Sequence, residues 1–482
     1  MNYRMIFNII GKIVCVEAVF MLPALLISLF HGESAAVLGV AVTMLLAFAL
    51  GLPFALKKPK KSALFAREGF ITVGLTWIAV SAVGALPFLI SGSIPNYVDC
   101  LFETVSGFTT TGASILSDVE ALPMGLLYWR SFTHWLGGMG VLVFVLALSP
   151  LTAKDSGESM HLLRAESPGI RITKLVPRMK RSAGILYAIY VALTLAEVIL
   201  LLLGGMPLFD SVTLSFGTAG TGGFGILNSS IASYSAYSQW VIGVFMIVFG
   251  VNFNVYYLLL IRRFRKAVKN EELCLYLAIV LVSTLAIAVN TANRFAGAEE
   301  TLRTAFFQVA SIISTTGYST VDFDRWPQIS KTILLGLMFI GGCAGSTGGG
   351  AKVVRILLMF KSAKNSIYRV LHPNAVRLMH MDGEVIDDDT VGSVNAYMLL
   401  YFIIIAVVML LISVDGQSLE TTFSAVVACV NNIGPGFGAV GPAANFGAMS
   451  WFSKLVLTVS MLIGRLEIYP ILILMSPGIW KE

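Results

Sequence analysis

Phe102-Glu-Thr-Val-Ser-Gly-Phe-Thr-Thr-Thr-Gly112 returns 205 residues later as Phe307-Gln-Val-Ala-Ser-Ile-Ile-Ser-Thr-Thr-Gly317. The two stretches align without a gap. They share Phe, Ser, Thr, Thr and Gly, with serine for threonine at one further place. Each lies between strongly apolar segments and ends in Thr-Thr-Gly. Glycine can take the positive φ that aims backbone carbonyls at a common point. Such a loop at membrane depth suits ion coordination, because carbonyl oxygens can replace an ion's water shell without a fixed charge.

The composition supports membrane depth. The 482 residues are 56% hydrophobic and 12% charged, against about 25% charged in soluble domains. The net charge of +6 therefore reads by position and not as a nucleic-acid footprint. Five scattered cysteines and five histidines form no CxxC, disulfide framework or metal-ligand spacing. The first apolar run carries Lys12 and Glu17 and lacks a cleavage site, so a retained helix is expected.

A spanning helix needs about 20 apolar residues. Ten candidates occur, near 8–30, 35–56, 69–91, 126–150, 183–204, 239–261, 273–292, 328–360, 391–414 and 452–475. Segment 328–360 is too long and glycine-rich for one unbroken helix. The last eight form four pairs. Inside each pair lies a half-apolar stretch too short to span, which predicts a re-entrant loop. The resulting fold class is an all-α membrane protein of four helix–loop–helix repeats around one pore, preceded by two extra helices. Residues 1–68 hold those two helices and 69–153 repeat one. Residues 154–261 hold a basic loop and repeat two, 262–360 repeat three, and 361–482 a further basic segment and repeat four.

Lys57–Arg67, Lys154–Arg181, Arg262–Lys269 and Lys352–Arg377 hold 23 of the 33 Lys and Arg. Segments 93–127, 205–239 and 415–449 hold none, and 293–331 holds four. By the positive-inside rule the basic clusters are cytoplasmic and the loops enter from outside. With ten spans both termini are then cytoplasmic.

The loop candidates are Thr110-Thr111-Gly112, Thr315-Thr316-Gly317 and Asn432-Ile433-Gly434. Loop two, with Thr221, Gly222 and Gly223, has an open register. Gly223-Phe224-Gly225 mirrors Gly317-Tyr318-Ser319, which favours Gly223, and Thr221-Gly222 is the competing choice. The short helices before the loops would aim their negative C-terminal ends at the ion path. Glu103 and Asp210 read as lying near the starts of two of them. Glycine-rich packing is the alternative reading of one loop, and four loops in register argue against it.

These motifs, with Trp135-Leu-Gly-Gly-Met-Gly140, Gly464-Arg465-Leu466-Glu467 and the run Gly341–Gly350, resemble the Trk/Ktr/HKT superfamily of potassium transporters. The two extra helices are similar to the TrkH branch. The resemblance covers essentially the whole chain. It implies four pseudo-symmetric repeats around one pore, with K+ held at one glycine per loop. A serine at the first-loop glycine marks sodium-preferring relatives, and Gly112 argues against that. The resemblance also implies a homodimer and a cytoplasmic NAD- or ATP-binding regulatory subunit of TrkA type in the cell membrane.

Six glycines fill ten positions at 341–350, and each costs a helix about 1 kcal/mol. The segment should break, and irregular backbone at this depth lines a cavity or is buried. Gly345, Gly348 and Gly349 are therefore gate candidates, the matching stretch of the family being an intramembrane gate loop. A helix-packing seam is the alternative. Lys352 and Arg355 read as flanking anchors. Arg465, inside the last apolar segment, should face protein or water. The resemblance makes it a pore-facing barrier, and a salt bridge to another helix is the alternative. Arg130 and His134 read as a buried polar network, Glu197 as a packing contact, and Asn252 and Asn254 as interhelical hydrogen-bonding groups.

Two GxGxxG matches, at Gly220–Gly225 and Gly436–Gly441, follow no strand and carry no dinucleotide expectation. Gly345–Lys352 imitates a phosphate loop, but Ala351 interrupts it and Val353 replaces Ser/Thr. With no nucleophile or acid/base constellation, an enzyme is not expected, nor a cofactor in this chain. A sodium- or proton-coupled secondary transporter would instead show inverted repeats and intramembrane carboxylates. The plausible docking surfaces for a regulatory partner are 154–181 and 361–389.

Overall fold

The computed structural model describes residues 2–57, 66–138, 140, 179–373 and 378–479. Nearly all its regular structure is helical. The described strands are one antiparallel hairpin, Met379–Met381 with Glu384–Ile386. Two N-terminal elements come first: Tyr3–Phe20 continuing as Leu22–Phe30, then Ser34–Ala55. Glu33, between them, accepts hydrogen bonds from the amides of Met124 (2.6 Å) and Gly125 (3.2 Å). It thereby caps a helix start in repeat one, where donors are otherwise orphaned.

Four triplets of helices follow. The first helices are Ala66–Gly84 (extended by Leu86–Ile90), Met179–Leu203, Glu271–Thr291 and Asp388–Ile412. The short helices are Tyr97–Phe108, Leu208–Gly220, Ala298–Ile313 and Leu419–Val430. The second helices are Met124–Gly138, Ala236–Gly250, Gln328–Ile340 and Trp451–Arg465. The short helices have 12 to 16 residues. At 1.5 Å per residue they reach at most about 24 Å, less than the hydrocarbon thickness. Each carries an acid in its first turn: Asp99, Asp210, Glu299 with Glu300, and Glu420. A carboxylate there favours the helix dipole and leaves the negative C-terminal end facing the loop.

Six described helical stretches are long and apolar enough to cross a membrane, or seven if a pair bent by 90° is one span. The four second helices are the exceptions, and this corrects the expectation of continuous segments at 239–261 and 452–475. Ala236–Gly250 stops at Val251, and Asn252 caps a new helix, Phe253–Leu260, by accepting from the Asn254 amide at 2.9 Å. Gln328–Ile340 gives way to a loop before Val353–Leu371. Trp451–Arg465 is followed by Glu467 and Ile468 at φ +53° and +71°, then by Tyr469–Met475. Pro470 sits in the first turn of that last helix, where its missing donor costs nothing. In repeat one the helix ends at Gly138, and residues 141–150 of the expected span lie outside the described residues. So do 58–65 and 154–178 of the basic clusters and 374–377.

Candidate functional site

Each short helix ends in a turn with the same backbone signature. Thr110, Thr221, Thr315 and Asn432 have φ of +56°, +56°, +61° and +53°. Two residues later Gly112, Gly223, Gly317 and Gly434 have φ of +80°, +74°, +87° and +100°. The left-handed region costs a residue with a Cβ about 1–2 kcal/mol, and β-branched threonine is a poor occupant. Three threonines and one asparagine held there in register mark strain that the surrounding packing maintains.

The four turns close a ring. A methyl group on Gly112 would overlap the carbonyl oxygen of Gly222 in the next loop. One on Gly223 would overlap that of Thr316, and one on Gly317 that of Ile433. One on Gly434 would lie 2.8 Å from the oxygen of Thr111, returning to the first loop. The residue before each ring glycine thus presents its carbonyl to the neighbouring loop's glycine. The register of loop two follows: Gly223 occupies the positive-φ position. Gly222 is glycine for a different reason, since a Cβ there would strike the His134 ring. That ring also packs on Phe224, centroids 4.2 Å apart.

The side chains of Thr111, Thr316 and Thr221 bond into the wall. Thr111 Oγ1 is 2.8 Å from Thr109 Oγ1 and accepts from Asn432 Nδ2 at 2.8 Å. Thr316 Oγ1 lies 2.7 Å from Ser314 Oγ. Thr221 donates to its neighbouring carbonyl, that of Gly220. Asn432 also donates to Met461 O, tying loop four to the second helix of its own repeat.

Beyond the glycines opens a cavity of about 250 Å³, lined by all four of them. Arg130 is the charged residue among its described lining. Its guanidinium pairs with Glu103 at 2.6 Å, donates to Gly225 O at 2.9 Å and lies 3.5 Å from the Phe224 ring centroid. Glu103 also accepts from Ser114 Oγ and the Ile115 amide, both at 2.9 Å. Glu103 is therefore mid-helix and fully engaged, not at a helix start. Its partner lies 27 residues away in the sequence.

On the other side of the ring lies the glycine-rich loop between Ile340 and Val353. The Gly349 amide donates to Thr315 Oγ1 at 2.6 Å. A Cβ on Gly348 would meet Ser314 O at 2.9 Å, and one on Gly349 would overlap Asn431 O. The loop thus sits directly under two ring turns. The broken second helix of repeat two holds it from the side. Cys343 N donates to Gly250 O (2.9 Å), Phe253 N to Gly345 O (3.0 Å) and Thr347 Oγ1 to Phe249 O (3.2 Å). Arg465 donates to Thr347 O at 2.7 Å, and to Gly137 O and Gly138 O at 2.5 and 2.7 Å. It joins the loop to the end of the second helix of repeat one.

Lys352 and Arg355 are not surface anchors. They are 7% and 5% exposed. Lys352 Nζ bonds back to Gly348 O, at a backbone φ of +75°. Arg355 pairs with Glu467 and lies 3.9 Å from the Tyr397 ring centroid. Glu467 reaches it from the turn after Arg465, which the helix break makes possible.

The sequence matches the family described as TrkH, cation transport protein, over residues 36–292 and 276–481. The chain belongs to this family. It is 37% identical over 494 residues to the Trk system potassium uptake protein TrkH of Salmonella typhimurium, covering all of both chains. It is 33% identical over 488 residues to the Trk system potassium uptake protein TrkG of Escherichia coli, covering all of this chain and 99% of that one. The crystal structure of the potassium transporter TrkH from Vibrio parahaemolyticus superposes with a TM-score of 0.88 at 32% identity, covering 100% of each.

In this family member every loop residue singled out in the sequence lies in or beside the ring, and Gly345, Gly348, Gly349 and Arg465 lie together beneath it. The sequence reading missed the Arg355–Glu467 and Arg130–Glu103 pairs. The available signal was the charge itself: four ionisable groups in or beside apolar segments must find partners.

Proposed function

We propose that the chain carries potassium into the cell through the ring of four loops. The closed ring carries this reading: four neighbouring carbonyls and four positive-φ glycines form a neutral oxygen cage, and the C-terminal ends of four short helices add negative potential. The ion meets backbone oxygens of Thr111, Gly222, Thr316 and Ile433, since the threonine side chains next to the glycines bond into the wall. The loop 341–352 is the gate, because it lies under the ring where an ion must leave. Arg465 is the barrier that holds it, a fixed cation tied to Thr347. The names of the relatives support potassium as the ion and a multi-component Trk system. On this reading the chain sits in the cell membrane with both termini cytoplasmic. It works as a homodimer with a nucleotide-binding regulatory subunit docked on the cytoplasmic segments, 361–389 among them.

Potassium and sodium flux into proteoliposomes, with and without a pH gradient, tests this. Potassium should enter in preference to sodium, and equal rates would sink the filter assignment. Arg465→Ala should raise flux at least several-fold. Unchanged or lower flux in well-expressed protein would remove the barrier role.

A further inference from the structure

Glu272 has no part in the pathway described above, yet it is 2% exposed and lies against the glycine-rich loop. One of its oxygens, Oε1, accepts two hydrogen bonds. The Ala344 amide donates at 2.6 Å and the Val354 amide at 3.2 Å. These donors flank the part of the loop that reaches the ring, Gly345 to Lys352. One acceptor thus gathers both ends of the loop. The Asn252 side chain, which faces Gly345, lies beside Glu272.

The helix that follows the loop needs such a partner. Val353–Leu371 has no side-chain cap of its own, because its N-cap is Lys352. A lysine there opposes the positive end of the helix dipole, whereas a carboxylate supplied from elsewhere satisfies it. The start of the helix bearing Glu272 is itself held from the cytoplasmic hairpin. Asp382 accepts from Asn270 Nδ2 at 2.7 Å and from the Glu271 amide at 2.8 Å.

We propose that Glu272 is the positioning residue of the loop, a latch whose single oxygen keeps the loop folded against the ring. This rests on the reading of 341–352 as the gate only for its effect on flux. Cys343 gives an independent report, since it lies in the loop and is 1% exposed. Cys274 is exposed, and Cys100 and Cys429 are buried elsewhere. In full-length protein in proteoliposomes, site-resolved thiol alkylation by mass spectrometry follows all of them together.

Glu272→Ala removes the acceptor of both hydrogen bonds and should speed Cys343 alkylation about tenfold or more, the scale of losing ordinary hydrogen bonds. Cys100 and Cys429 should stay protected. Glu272→Gln retains an oxygen acceptor and should restore protection. Wild-type alkylation of Cys343 in Glu272→Ala overturns the latch, as does a Gln variant as labile as the Ala variant. If Glu272→Ala exposes Cys100 and Cys429 too, Glu272→Asp decides: selective labelling of Cys343 supports the latch and unchanged labelling refutes it. Faster alkylation with unchanged potassium flux keeps the latch and removes the gate reading.

Discussion

Gly222 and Gly223 are adjacent and chemically identical, but a methyl group should fail at each for a different reason. At Gly223 the backbone φ is +74°, which costs alanine about 1–2 kcal/mol. The methyl would also overlap the Thr316 carbonyl oxygen, a ring atom that cannot rotate away. Overpacking of this kind costs about 1–3 kcal/mol. The sum, about 2–5 kcal/mol, corresponds to roughly a 30- to 4,000-fold loss of the intact ring. At Gly222 the obstacle is the His134 side chain, which can be removed. Gly222→Ala should therefore be impaired alone and recover in Gly222→Ala/His134→Ala. Gly223→Ala should stay impaired with or without His134→Ala. The assay is rubidium uptake into proteoliposomes with sodium as competitor, giving both rate and selectivity. If Gly223→Ala discriminates like the wild type, or if His134→Ala rescues it as well as Gly222→Ala, the ring geometry is wrong.

Two further outcomes follow from the outer side of the ring. Glu103→Gln strands the buried Arg130 charge, which should cost about 3–5 kcal/mol in denaturant unfolding. The paired change Glu103→Gln/Arg130→Met should recover part of it, and additive losses would refute the coupling. The outer loops are clasped by Asn228. It donates to Asp118 at 2.8 Å, accepts from the Val119 amide at 2.8 Å, and its own amide donates to Glu120 at 2.9 Å. The Asn228 hydrogen bond holds the Asp118 carboxyl below its usual range. A depressed folded pKa contributes stability above the unfolded value, about 3.9, and loses it as pH falls through the folded one. Relative to the intrinsic exchange rate at each pH, the amides of 117–122 should stay protected at pH 5 and lose protection below pH 4. In Asn228→Ala protection should be low at both, and no difference between the variants would refute the clasp.

Much of this molecule is local. Apolar length, charge spacing and glycine in four short turns are properties of neighbouring residues, so the sequence alone determined a helical membrane protein with four re-entrant loops. The same is true of the break at 341–350, where glycine density defeats a helix. The second glycine of loop two was different. The mirrored run Gly223-Phe224-Gly225 favours Gly223, but Thr221-Gly222 is a workable turn locally. The approach of His134 to Gly222 and of Thr316 to Gly223 decides between them. The breaks in the second helices of repeats two and four were equally hidden, because apolar composition continues through Val251 and Leu466. Lys352, Arg355 and Glu272 lie at the edges of apolar segments, where a surface position and a buried one look alike. Tertiary structure decided them, because a buried charge is tolerable only where a partner waits. Those partners stand 112 residues apart for Arg355 and Glu467, and 72 apart for Ala344 and Glu272.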